Sequence, residues 1–198
     1  KATRPEIKLV EFPDIVIPEF SDRLYSAVEA SIRQQIKEDI QFLLLLNQRM
    51  PSLHHYFYNV SYGSSHGDYL YSQLLCNKED IIAVVDFSNA ARLPLVWEIM
   101  RFYMLSSIDC QNPNGIRVDA LKAYITAYLK SFPLTKTDLR NMPYIYLYSL
   151  GRNYNAYRTY ITDGGQNTAL LEFSSRRTAI CRFMYDHSAE LSAELSTL

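Results

Sequence analysis

The sequence predicts a mainly α-helical domain carrying one small β-hairpin. Three observations predict it. Apolar residues recur at helical spacing through most of the chain. Two short apolar runs, QLLC and IIAVVDF, flank a polar Asn-Lys-Glu-Asp turn in its middle. The length of 198 residues with 48% hydrophobic content suits one well-buried domain spanning 1–198.

Element by element, residues 1–18 place Pro5, Pro13 and Pro18 between β-branched residues, which predicts an extended lead-in segment. Ser21 or Asp22 is placed to N-cap a helix running to about Met50. Its stripe is Leu24, Val28, Ile32, Ile36 and Ile40, and Pro51 ends it. Residues 54–80 hold Gly63 and Gly67 and no helical period, so they read as loop as far as the first run. The hairpin strands fall near 73–76 and 81–86. Helical periods return near 94–107, 117–131, 135–161 and 175–196. The expected caps are Asp119, Thr135 (with Asp138 three residues on) and Ser174 or Ser175. The stretch TDGGQN, 162–167, reads as the most flexible connection.

Composition excludes several classes. Net charge is −1 and no Lys/Arg run occurs, which argues against a nucleic-acid partner. The stretch FLLLL is far too short to span a bilayer, so no membrane partner is expected. Cys76, Cys110 and Cys181 are widely spaced with no CxxC pair, and read as reduced thiols of a cytoplasmic protein. His54-His55 lacks a third ligand at a sensible spacing. The Tyr-rich segment 144–160 fits either core packing or an amine cage built on cation–π contacts. Trp97 reads as a core anchor.

The chemistry concentrates in HGDYLYSQ, 66–73, and VVDF, 84–87. A base that takes a hydroxyl proton must be a carboxylate held on a rigid loop. Two metal-ligating groups must lie near it, one on that loop and one at a strand end. Asp68 precedes Gln73 by five residues, and Asp86-Phe87 closes the second hairpin strand. The hairpin would bring Gln73 and Asp86 to one edge, as holding Mg²⁺ over a triphosphate requires.

At these residues the chain resembles the aminoglycoside phosphotransferase and choline kinase-like family, in the form of the broad bacterial "phosphotransferase enzyme family". That family's loop reads His-Gly-Asp-x-x-x-x-Asn, and its metal motif is Ile/Val-Asp-Phe. The resemblance covers roughly residues 60–110. It implies a protein-kinase-like C-terminal lobe, with Asp68 as catalytic base, His66 bracing the loop and Asp86 as a Mg²⁺ ligand. Gln73 stands where the family has Asn and would be the second ligand. Glu98 falls at the family's acidic position twelve residues after the metal Asp, which bonds back to the catalytic loop. No Gly-rich loop or Val-Ala-x-Lys strand precedes residue 20. The chain therefore reads as a C-terminal lobe whose nucleotide lobe lies elsewhere in the same protein.

The implied activity is Mg²⁺-dependent transfer of the γ-phosphate of ATP or GTP to a hydroxyl of a small molecule. The alternative is a catalytically impaired binding or assembly module, which the Asn-to-Gln departure favours. Two further expectations follow from a missing lobe. The chain alone should be inactive, and it should expose an apolar strip near the hairpin that could also pair two copies in a homodimer.

Overall fold

In a computed structural model, residues 29–78, 80–106, 116–151 and 155–198 are described, and all that follows concerns these. The lead-in segment 1–18, the caps at Ser21 or Asp22, and Cys110 lie outside them. The described chain is mainly helical with two small antiparallel sheets.

Helix α1, Ala30–Arg49, buries Ile36, Ile40, Leu43 and Leu46, a run at three- and four-residue spacing. Pro51 sits at the start of a following 3-10 segment, Met50–Phe57, where its missing N–H costs nothing. Beyond it the expected loop is more ordered than its composition implies. Strand β1, Tyr62–Ser65, pairs with β4, Ala91–Pro94, in the register Tyr62↔Pro94 to Ser65↔Ala91. The hairpin lies between them: β2, Leu74–Asn77, against β3, Asp80–Val84, with an irregularity between Leu75 and Cys76. Residues 66–90 are thus an excursion closed at its base by the β1–β4 ladder.

Helix α2, Leu95–Ser106, follows β4 directly, and its Leu95 N–H donates to the Ser61 carbonyl at 3.0 Å. Helices α3, Val118–Leu129, and α4, Lys136–Leu150, come next. Asp119 does not cap α3; it lies inside the first turn, paired with Arg117. The Thr135–Asp138 capping box is formed in full. The periodic run 135–161 is two helices, α4 and α5, Asn155–Thr162, and not one. Helix α6 is Thr168–Leu195, capped by Asn167, so Ser174 and Ser175 lie within it. Before it, the Gly164 and Gly165 N–H groups bond back to Ile161 and Tyr160 carbonyls, both glycines with positive φ. That pattern is a Schellman closure of α5.

The core forms around α4, which packs against α2, α6 and the 3-10 segment. Tyr146, Tyr148, Tyr157 and Tyr160 are all buried, so these four tyrosines are core and form no open cage. His54 likewise packs, its Nε2 3.1 Å from the Tyr148 hydroxyl. Trp97 is half-buried against the core with the Arg101 guanidinium over its ring. Asp39 ties α1 to α5 and α6 through Tyr157 at 2.5 Å and Arg182 at 3.1 Å.

One buried carboxylate fixes the sheet to this core. Asp138 is fully buried, and it accepts from Ser61 N–H at 2.6 Å, Ser61 Oγ at 2.8 Å, and Thr135 N–H at 2.9 Å. Burial works against its charge, yet the Ser61 and Thr135 hydrogen bonds together hold its pKa below the usual aspartate value. The start of β1 is therefore pinned to the N-terminus of α4, just upstream of the His-Gly-Asp turn.

Candidate functional site

The closed excursion 66–90 carries Asp68, Gln73 and Asp86, and its internal bonds bring them to one region. His66 is buried and both its ring nitrogens are engaged. Nε2 lies 2.7 Å from the Val85 carbonyl, an acceptor only, so Nε2 carries the proton. Nδ1 is then free to accept from the Asp68 N–H at 3.3 Å. One neutral imidazole thus joins the turn holding Asp68 to the residue preceding Asp86.

Glu98 holds the same turn from below. Its two carboxylate oxygens accept the His66 N–H at 3.0 Å and the Gly67 N–H at 2.6 Å. These are charge-assisted bonds to two successive amides, and they orient the turn against α2. Gly67 has φ +82, and a Cβ there would lie 1.9 Å from the Asn89 carbonyl oxygen. Only glycine allows the turn to approach the 3-10 segment Phe87–Asn89 so closely.

Asp86 is exposed and sits at φ 63, left-handed for a non-glycine residue. Such backbone strain in a non-glycine residue clusters at functional sites. Ser88 Oγ donates to its Oδ1 at 2.6 Å, and the Ser88 bonds, side chain first, lower its pKa. The carboxylate is therefore ionised and faces solvent. The Gln73 backbone is tied to the residue before Asp86, the Val85 N–H donating to the Gln73 carbonyl at 2.9 Å. The Gln73 side-chain oxygen accepts from Ser72 Oγ.

Two features were not read from sequence. Arg101 on α2 forms an ion pair with Asp68 Oδ1, also reaches the Tyr69 carbonyl at 3.4 Å, and lies over the Trp97 ring. It stands three residues after Glu98, hence on the same helix face, and that spacing was the available signal. Among the described residues Asp68 Oδ2 has no hydrogen-bond partner, so one oxygen is fixed by Arg101 and the other is open. The second feature is the β1–β4 ladder, which short strands of mixed composition did not announce.

Among the described residues no group of three or more His, Cys, Asp or Glu side chains could hold a metal ion. The donors available are one ionised carboxylate, Asp86, and the amide oxygen of Gln73, whose backbone is bonded to the residue before Asp86. That set fits Mg²⁺ only in the way nucleotide sites use it, with phosphate oxygens supplying further ligands.

The hairpin outside this site is apolar and open. Leu75, Ile81, Ile82, Val85 and Phe87 are exposed, Ile82 to 65%. Cys76 is exposed and free, and Cys181 is buried and free. No helix among the described residues is long and apolar enough to cross a membrane. Comparison with protein-family models, with curated proteins and with solved structures finds no match to this chain.

Proposed function

We propose that the chain is a protein-kinase-like catalytic lobe that transfers the γ-phosphate of ATP or GTP to a hydroxyl of a small molecule. The observation that carries the reading is the His66 bridge: one imidazole bonds both the Asp68 amide and the Val85 carbonyl, while Glu98 grips the turn beneath. Structural turns need neither a doubly engaged histidine nor a carboxylate clamp on two successive amides.

In this reading the acceptor hydroxyl sits at the open oxygen of Asp68 and gives its proton there as the phosphoryl group arrives. Arg101 fixes the other oxygen and keeps the carboxylate from rotating away. Asp86 and Gln73 would hold Mg²⁺, which when bound offsets the charge of the phosphate oxygens. Most of the acceleration would come from positioning and electrostatics. The exposed hairpin apolar residues are where a nucleotide lobe of the same protein would dock, or where two copies would pair. A cytoplasmic location goes with the free, exposed Cys76.

A second reading is a catalytically impaired binding or assembly module with the same fold. It is favoured by Gln73, whose side-chain oxygen is already taken by Ser72. One experiment separates the two. In the protein containing both lobes, with Mg-ATP and a panel of small alcohols, Asp68→Asn should cut phosphate transfer by about 10²–10⁴-fold. Equal turnover in wild type and variant sinks the assignment of Asp68, and no transfer from wild type favours the module.

A further inference from the structure

An open cavity of about 640 Å³ lies beside the His-Gly-Asp turn, within the size range of small-molecule sites. Its place is set by the residues that line it. His66 and Tyr69 flank Gly67-Asp68 on one side, and Val84 and Phe87 bracket Val85-Asp86 on the other. Neither Asp68 nor Asp86 lines the cavity, but a molecule in it lies against chain neighbours of both.

The walls have a definite character. The rings of Tyr69 and Phe102 lie 4.9 Å apart at 30°, and Phe102 and Tyr124 lie 6.4 Å apart at 20°. Tyr71 meets Phe102 edge-on at 5.3 Å. Together these rings make a contiguous aromatic wall. The hairpin adds Leu74, Ile81 and Val84, all aliphatic.

Charge is nearly absent from the lining. Among the described lining residues Glu98 alone is acidic, and both its oxygens are committed to backbone amides. The His66 ring nitrogens are committed as well. Burial raises the pKa of Tyr69 and Tyr128, and that of Tyr124 more strongly, so the phenols stay neutral. A polycation entering this cavity would lose its hydration and find no free carboxylate in the lining, since Asp68 and Asp86 both lie outside it.

We infer that this cavity holds the body of the acceptor, and that the acceptor is an uncharged, largely apolar hydroxyl compound rather than an aminoglycoside or other polycation. The inference rests on the phosphotransferase reading for the word acceptor; the binding site itself does not. In the transfer the terminal P–O bond to the nucleotide breaks and a P–O bond to the acceptor oxygen forms. The hydroxyl proton goes to Asp68, and the nucleoside diphosphate leaves.

The test uses 2-naphthol as a flat neutral probe, with choline and kanamycin as cationic ones, titrated separately into the 198-residue chain and followed by amide chemical shifts. 2-Naphthol should give saturable shifts at residues 69–74, 102 and 124. Phe102→Leu should weaken its binding at least tenfold. Tyr71→Ser, at an exposed position that the fold does not depend on, should weaken it several-fold. Choline and kanamycin should leave those amides unmoved. Absent naphthol shifts, shifts that ignore both variants, or tighter binding of either cation at these residues would overturn the inference. Mg-ATP is then added to the two-lobe protein with naphthol bound. Naphthyl phosphate that disappears in Asp68→Asn supports both readings. Binding without any transfer keeps the cavity assignment and overturns the phosphotransferase reading.

Discussion

Replacing Glu98 by Gln changes one atom type at the centre of the site and leaves the side-chain shape intact. The native carboxylate accepts two backbone N–H groups, at 2.6 and 3.0 Å. A glutamine offers one acceptor oxygen, so its amide NH₂ must face one of the two N–H donors. One charge-assisted bond is lost, worth about 1.5–3 kcal/mol, and the remaining one becomes neutral. The turn 66–68 should therefore open more easily by about 2–3 kcal/mol, which corresponds to roughly 30- to 150-fold faster exchange of its protected amides. Native-state hydrogen exchange at His66 and Gly67 reads this directly, because the buried amides of α4 report on global unfolding and serve as the internal control. Exchange at both turn amides within threefold of wild type would refute the clamp, and with it the reason for placing Glu98 at the site.

Two more perturbations test the frame around the turn. Gly67→Ala puts a methyl 1.9 Å from the Asn89 carbonyl oxygen at φ +82, so left-handed strain adds to a backbone clash. It should lower unfolding free energy by roughly 2–4 kcal/mol in urea; a loss under 0.5 kcal/mol would mean that the turn and the 87–89 segment are not in contact. Asp138 has a folded pKa below its unfolded one, so its contribution is present above the unfolded value and fades as pH falls through the folded value. Asp138→Asn should cost about 1.5–3 kcal/mol at pH 7, and the cost should shrink as pH is lowered below the unfolded value. A cost that stays constant from neutral pH down to acid unfolding would show that the carboxylate charge is not what holds Ser61.

How much of this was legible in the sequence depends on how far apart the deciding residues lie. The α1 stripe Ile36, Ile40 and the Thr135–Asp138 box are local patterns, and both appear where the spacing places them. The hairpin strands were found within one or two residues because a polar turn separates two apolar runs. The β1–β4 ladder was not visible: it joins residues nearly thirty apart, and YGSS and ARLP carry little strand propensity. The break between α4 and α5 was hidden by tyrosines that keep a helical period through it. Pro143 makes the opposite point, since it sits inside α4 where propensity forbids it and burial overrides that preference. At the site, residue types and order along the chain pointed to Asp68, Gln73, Asp86 and Glu98. Arg101 was passed over because a single arginine on an amphipathic helix usually marks only the solvated face.

In the proposed function Asp86 and Gln73 form the protein's side of a metal-nucleotide site next to Asp68. Mn²⁺ with ATP, added to the isotope-labelled chain, tests it without knowledge of the acceptor, since paramagnetic broadening reports even weak binding. Selective loss of amide signals at 68, 73 and 85–88 is expected, reversed by excess Mg²⁺ and abolished in Asp86→Ala, whose exposed side chain can be removed without disturbing the core. Broadening centred on other residues, or unchanged by Asp86→Ala, would contradict it.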